Sequence, residues 1–102
     1  MLLVFTTVPD AEEGERLATK VVDAKLGACV QILPPMTSVY VWDGRIQKER
    51  EHLLLIKTLQ EKYPDVEKFI LANHSYEVPE IFAIEVSKAS EGYANWLGKI
   101  VG

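Results

Sequence analysis

Tyr40-Val41-Trp42-Asp43-Gly44-Arg45-Ile46 reads as the tip of a long β-hairpin. Asp and Gly at the two central positions suit a type I′ turn, which needs positive φ at both residues. A two-residue turn places Trp42 opposite Arg45 and Val41 opposite Ile46. Side chains alternate along a strand, so Tyr40 and Trp42 project from one side of the arm, and Val41 and Ile46 from the other. Both sides therefore carry apolar groups that need a covering surface.

Hydrophobic periodicity divides the rest of the chain into strands and helices. Asp10 with Glu13, and Thr58 with Glu61, are candidate capping boxes that begin two of the helices. Gly27 is the expected stop of the first helix. The predicted strands are 2–8, 28–33 (interrupted by Pro34-Pro35 and resumed at 37–42), 45–58 and 81–86, and the predicted helices run from Asp10 to Gly27, over 60–73 and over 91–101.

This order of elements, βαββαβ followed by a terminal helix, is typical of an α+β protein with a ferredoxin-like plait. Four antiparallel strands then carry two helices on one face, and the other face stays open for a second subunit. The 102 residues fit one domain, so we expect a single domain over residues 1–102. Trp42 either packs against another subunit or folds back onto Trp96 or Pro35. In the last helix, Tyr93, Trp96, Leu97 and Ile100 form the predicted buried side.

Composition and charge argue against several functional classes. The net charge of −4 gives no electrostatic reason to hold nucleic acid or an anionic membrane. Cys29 is the one cysteine, which fits a reducing compartment. No signal peptide and no apolar run of about 20 residues is recognisable. We expect a soluble cytoplasmic protein without nucleic-acid or membrane partners. No nucleophile–base arrangement or glycine-rich phosphate loop is present, so neither an enzyme nor an organic cofactor is expected.

His74-Ser75-Tyr76-Glu77-Val78-Pro79-Glu80 is the segment where groups able to bind a metal or move a proton converge. It lies between the second predicted helix and the last predicted strand. Imidazole and carboxylate groups bind divalent metals. The structural alternatives are that His74 is a donor near the helix C-terminus and that Glu80 is a solvated strand end or an ion-pair partner. The alternating charges of residues 48–51 predict a solvated or subunit-pairing face.

Six short motifs follow one another over nearly the whole chain: Thr7–Asp10, Leu26–Val30, Ser38–Ile46, Leu54–Thr58, Asn73–Ile81 and Tyr93–Leu97. Each is weak alone, but together and in this order they resemble the CutA divalent-cation-tolerance family. The resemblance implies a ferredoxin-like homotrimer in which extended hairpins pair between subunits. Members of that family have been linked to tolerance of copper and other divalent ions in bacteria.

The resemblance also implies a metal site built from a cysteine on the first strand, a loop histidine and a glutamate that follows a proline. The histidine matches His74 and the glutamate matches Glu80. Thr6 occupies the cysteine position, and Ser75 stands where the family usually shows proline. Cu(I) prefers soft ligands, so these departures argue against tight Cu(I) binding. The candidate ligands are His74, Glu80 and Glu77, with Cu2+ as the expected metal ahead of Zn2+.

Two functions follow from these observations. The first is a trimeric cytoplasmic protein that binds divalent metal ions, copper foremost, and contributes to divalent-cation tolerance. The second is a signalling or scaffold trimer that binds a small metabolite or a partner protein in clefts between subunits. The chemistry at Thr6 separates them, because a site without a soft third ligand holds a metal less tightly.

Overall fold

The computed structural model describes residues 1–102 and confirms the predicted α+β architecture. The elements are β1 Leu2–Val8, α1 Ala11–Asp23, β2 Cys29–Ile32, β3 Met36–Trp42, β4 Arg45–Thr58, α2 Tyr63–Asn73, β5 Ile81–Glu85 and α3 Glu91–Val101. A short 3-10 turn, Gln60–Lys62, precedes the second helix. Every strand pair is antiparallel, and the body of the sheet has the order β2-β4-β1-β5, with β3 pairing to the far end of β4.

The main core lies between one face of the sheet and helices α1 and α2. Side chains alternate between the two faces along β1 and β4, so every second side chain points toward the helices. These side chains are almost completely shielded from water. Burial of such side chains is the dominant favourable term in folding. The nine buried apolar residues of this core are Leu2, Val4, Val8, Leu17, Val21, Leu54, Ile56, Val66 and Ile70.

The hairpin of β3 and β4 forms as its sequence predicts. Asp43 and Gly44 take φ values of 52° and 72°, and the register pairs Trp42 with Arg45 and Val41 with Ile46. In the single chain the arm leaves its apolar side chains in solvent, with Val41 at 68% and Ile46 at 73% exposure. The arm extends a molecule that measures 45 × 25 × 23 Å along its principal axes.

Helix α3 covers only one end of the sheet. Its buried residues, Leu97 and Val101, pack with Ala28. Trp96 and Ile100 were predicted to be buried, and this is wrong for the single chain: Trp96 is 43% exposed. The Trp96 ring lies beside Tyr93 on the same helix, 5.6 Å between centroids, rather than folding against Trp42. Leu97 and Val101 lie four residues apart and therefore on one face of the helix. This face packs on the sheet, and the face that carries Trp96 and Ile100 does not.

Two predicted helix boundaries are corrected by the structure. Helix α1 ends at Asp23, and Lys25 takes the left-handed conformation of a Schellman motif, with φ of 59°. Gly27 serves close packing instead, because a Cβ there would lie 2.9 Å from the Cγ2 atom of Ile56. Thr58 does not cap the second helix; its hydroxyl donates to the Leu26 carbonyl oxygen at 2.7 Å.

Helix α1 keeps half of its predicted capping box. The Asp10 carboxylate accepts from the Glu13 backbone N–H at 2.8 Å, as predicted. The Glu13 carboxylate does not return to the Asp10 backbone, because it is engaged by Ser75 of the 74–80 loop. A residue that sequence assigns to local capping therefore holds a distant segment.

Thr6 and Thr58 are fully buried, yet only Thr58 satisfies its hydroxyl. We expect Thr6→Val to raise the free energy of unfolding by about 1 kcal/mol, because it removes a buried hydroxyl that has no partner. Thr58→Val should lower it by about 1–3 kcal/mol, because it removes a satisfied bond. The free energies of unfolding of both variants, measured by urea unfolding at the same protein concentration, test these two predictions. Equal effects of the two substitutions would contradict this assignment.

Candidate functional site

An open cleft of about 700 Å3 lies at the base of the hairpin arm. Its walls come from three regions that are distant in sequence: the end of β1, the facing sides of β3 and β4, and the 74–80 loop. Three carboxylates and three aromatic rings line it, and no lysine or arginine does. The lining residues are Thr7, Ser38, Val39, Tyr40, Trp42, Glu51, Ser75, Tyr76, Glu77, Val78 and Glu80.

His74 lies behind this cleft with its side chain fully buried. Its Nε2 atom is 2.6 Å from the Thr7 carbonyl oxygen, which can only accept, so Nε2 carries the proton and donates. Its Nδ1 atom accepts from the backbone N–H of Tyr76 at 3.0 Å. Both ring nitrogens are therefore engaged, and ligation of a metal by His74 would require one of these bonds to open.

The 74–80 loop is fastened to the sheet and to helix α1 by side chains as well. The Glu13 carboxylate accepts from both the backbone N–H and the hydroxyl of Ser75, at 3.2 and 2.9 Å. The Tyr76 hydroxyl donates to the Glu51 carboxylate at 2.8 Å. Burial, followed by this bond to Glu51, raises the pKa of Tyr76 above its ordinary value. The loop thus has a fixed shape, and it presents Tyr76 to the cleft.

Glu51 is the site residue that sequence reasoning missed. It ends the charged run of residues 48–51, which was expected to form a solvated or subunit-pairing face, but within the single chain Glu51 is only 7% exposed. Its one described hydrogen bond comes from Tyr76, and no lysine or arginine forms an ion pair with it. The signal was its spacing: Glu51 lies two and four residues before Leu53 and Leu55, so it shares their face of β4.

Glu77 and Glu80, two of the predicted metal ligands, both line the cleft. Burial, with a further contribution from the negative charge of Glu51, raises the pKa of Glu80 above its ordinary value. Burial disfavours a charge on Glu80, and repulsion by Glu51 adds to this effect. The cleft has an excess of negative charge because three carboxylates and no cationic side chain line it.

The structure separates the residues of the predicted metal site. Glu77 and Glu80 share the cleft, while His74 sits behind it. Thr6 is fully buried and alternates with Thr7, so it faces the helices rather than the cleft. No group of three or more His, Cys, Asp or Glu side chains is arranged to hold a metal ion. Ligation by His74, Glu77 and Glu80 remains a prediction.

A family model, described as CutA1 divalent ion tolerance protein, matches residues 2–99. The chain belongs to this CutA1 family. The resemblance drawn from the six sequence motifs is thereby confirmed. The chain is 43% identical over 96 residues to the chloroplastic CutA protein of Arabidopsis thaliana, a match that covers 94% of this chain and 53% of that protein. It is 37% identical over 100 residues to the divalent-cation tolerance protein CutA of Thermus thermophilus, covering 98% and 97%.

Solved CutA1 structures share the fold of this chain. The CutA1 structure from Oryza sativa superposes with a TM-score of 0.96 at 39% identity, covering 99% of this chain and 93% of that chain. The Thermus thermophilus structure gives a TM-score of 0.95 at 37% identity and covers both chains fully. This chain spans about half the length of the plant CutA proteins that it matches, 53% and 54%. None of its helices is both long and apolar enough to cross a membrane.

The bond between Tyr76 and Glu51 should stabilise the CutA1 fold. We expect Tyr76→Phe to lower the free energy of unfolding by about 1–3 kcal/mol, because a buried carboxylate loses its donor. In a Glu51→Gln background the same change should have a smaller effect, since the charge is gone. A double-mutant cycle from urea unfolding measures this coupling. A coupling near zero would show that the two groups act independently.

Glu80 should make stability depend on pH. Because its folded pKa lies above the unfolded value, the folded state binds more protons between the two values, and stability rises as pH falls through that window. At neutral pH the ionised Glu80 therefore opposes folding. Glu80→Gln should stabilise at pH 7 by less than about 1 kcal/mol, since solvent screens the charge, and this gain should vanish below about pH 4. Urea midpoints of the parent chain and Glu80→Gln, measured from pH 4 to 7, test this prediction. A stabilisation by Glu80→Gln that increases as the pH falls would contradict it.

Proposed function

We propose that this CutA1-family chain acts in the cytoplasm as a homotrimer that binds divalent cations, Cu2+ foremost, and contributes to divalent-cation tolerance. The cleft at the base of the hairpin is the proposed site, where Glu80 and Glu77 would bind the ion with water as further ligands, and Glu51 would contribute its negative charge. The role is one of binding rather than catalysis. The observation that carries the proposal is the buried carboxylate of Glu51, which has no cationic side chain beside it.

The charge balance of the cleft supports a cation as its ligand. Buried charges in proteins are paired or bind metals, because an isolated charge is costly to remove from water. Here burial, and after it the negative charge of Glu51, raises the pKa of Glu80, and the lining contains no positive side chain. Carboxylates with water as further ligands suit Cu2+ and Zn2+. A bound divalent ion would neutralise this repulsion.

The uncovered apolar surface supports the trimer. Phe82 and Ile84 on the edge strand β5 are 46% and 52% exposed, on the sheet face opposite the helices. The hairpin arm adds Val39, Val41 and Ile46, all more than 60% exposed. Monomeric proteins rarely expose apolar surface on this scale. Contact between the arm of one subunit and the open sheet face of another would cover both sets.

A small metabolite is the second candidate ligand, in a signalling or scaffold trimer. The observation that favours it is the size of the cleft, about 700 Å3, which falls within the range of small-molecule sites, roughly 300–1,000 Å3. A single metal ion fills only a small part of such a space. This candidate uses the same carboxylates, but it also needs the aromatic walls.

Calorimetric titration of Cu2+ into the purified chain, with the mass measured by light scattering, tests the first proposal. We expect a trimer that binds Cu2+ saturably. Glu80→Gln should weaken binding roughly tenfold or more, because divalent-metal affinity depends on the number of charged ligands. Glu85→Gln is the matched control, since it removes the same charge from β5 without touching the cleft. His74→Ala tests whether the buried imidazole joins the metal.

Two results would overturn this proposal. Equal weakening by Glu80→Gln and Glu85→Gln would show that net charge alone attracts the metal. The absence of saturable Cu2+ and Zn2+ binding by an intact trimer would remove the metal role and leave the metabolite candidate. A monomeric mass at micromolar concentration would contradict the assembly itself.

A further inference from the structure

We propose that a second copy of this chain completes the cleft: Lys57 of each subunit enters the acidic cleft of a neighbouring subunit and pairs there with Glu51. This inference rests on the trimer of the proposed function and adds the residue that neutralises the cleft when no metal is bound. It is carried by two complementary groups of one chain. One is a lysine without an anionic partner, and the other is a buried carboxylate without a cationic one.

Lys57 lies on the sheet face that helices α1 and α2 leave open. Side chains alternate along β4, so Lys57 points away from the core that receives Ile56. Its neighbours across the sheet are Cys29 on β2 and Leu3 on β1, and Leu3 is paired in turn with Ile84 on β5. The row of the sheet that contains Lys57 therefore holds no other charged side chain.

The surroundings of Lys57 supply no anion within the chain. Its side chain is half-buried, and its Nζ atom lies 5.4 Å from the centre of the Tyr93 ring. The ring face attracts the ammonium group but does not neutralise its charge. Lys57 forms no ion pair, since the one ion pair of the chain joins His74 to Glu13.

Assembly makes this isolated charge costly. The trimer of the proposed function covers the open sheet face with the arm of another subunit, and Lys57 then loses contact with water. A charge that leaves water needs an opposite charge beside it. The covering arm has the cleft at its base, and the lining of the cleft includes Glu51, Glu77 and Glu80 but no cationic side chain. The subunit that removes water from Lys57 thus also brings the carboxylates that neutralise it.

Lys57 and Glu51 cannot pair within one chain. Both lie on the same face of β4, six residues apart, which corresponds to about 20 Å along a strand and exceeds the reach of a lysine side chain. A cyclic trimer is built from heterologous contacts, in which two different patches of the surface meet. One such contact joins the Lys57 end of one sheet to the cleft end of the next. Each subunit then gives one lysine and receives one.

Glu51 has a free acceptor for this lysine. Its Oε2 atom accepts from the Tyr76 hydroxyl, and its Oε1 atom accepts no hydrogen bond within the chain. A divalent cation in the cleft competes with the ammonium group for the same negative charge. Lys57→Met should therefore act in opposite directions on two quantities. It weakens the association of subunits, and it strengthens Cu2+ binding because a competing positive charge is gone.

A double-mutant cycle on trimer dissociation tests the pairing. Sedimentation at a fixed urea concentration gives the protein concentration at which half of the trimer dissociates, for the parent chain, Lys57→Met, Glu51→Gln and the double variant. We expect each single substitution to raise this concentration at least tenfold, and the double variant to exceed neither by much. Sites more than about 10 Å apart act independently, so coupling between these two reports contact across subunits.

Lys68→Met is the matched control for the cycle. It removes the same charge from an exposed position of α2, on the other face of the sheet, and its effect should add to that of Glu51→Gln. Additive effects of Lys57→Met and Glu51→Gln would overturn the inference and leave the metal role standing. A monomeric parent chain would overturn both.

Cu2+ titration of the same variants separates this inference from the proposed function. We expect Lys57→Met to bind Cu2+ at least threefold more tightly than Lys68→Met, which has the same net charge. Coupling in the cycle without Cu2+ binding by any variant would support the pairing and remove the metal role. Equal Cu2+ affinities of Lys57→Met and Lys68→Met would overturn the competition between lysine and metal.

Discussion

Strand β4 is the element on which the rest of this structure depends. Its 14 residues pair with β3 at one end, with β1 and β2 at the other, and so join the hairpin arm to the body of the sheet. One alternation runs through the whole strand. It turns Leu54 and Ile56 into the helix-covered core and Glu51 toward the cleft. A shift of one residue in register would exchange these faces, which would bury charge in the core and expose the apolar residues.

The cleft depends in turn on how the 74–80 loop is held. A loop between a helix and an edge strand has few backbone partners of its own, and its polar groups must be satisfied elsewhere. Here they are satisfied by Thr7 on β1, Glu13 on α1 and Glu51 on β4. His74 is central to this network because one nitrogen donates and the other accepts. The result is a preformed acidic and aromatic cleft, and fixed groups of this kind would reduce the entropy that the protein loses on binding a ligand.

Much of the fold was predictable because its signals are local. The Asp43-Gly44 turn, the apolar run of β1 and the Asp10 cap each depend on residues within a few positions. The failures involve distant partners. Thr58 reads as a helix cap, but Leu26 takes its hydroxyl, and Gly27 reads as a helix stop, but its place is set by contact with Ile56. Such contacts are invisible to any local pattern.

The sequence by itself determined the order of elements, the register of the hairpin and the loop that carries Glu77 and Glu80, because turn chemistry and side-chain periodicity act over short distances. Only the tertiary structure decided which of these groups meet. In the folded chain both ring nitrogens of His74 are hydrogen-bonded behind the cleft. Thr6 lies on the sheet face opposite the cleft. The tertiary structure also brought Glu51 from a charged run to the floor of the cleft. The physical reason is that burial and ionisation depend on neighbours from other strands, from helix α1 and from the 74–80 loop, which meet only in the folded chain.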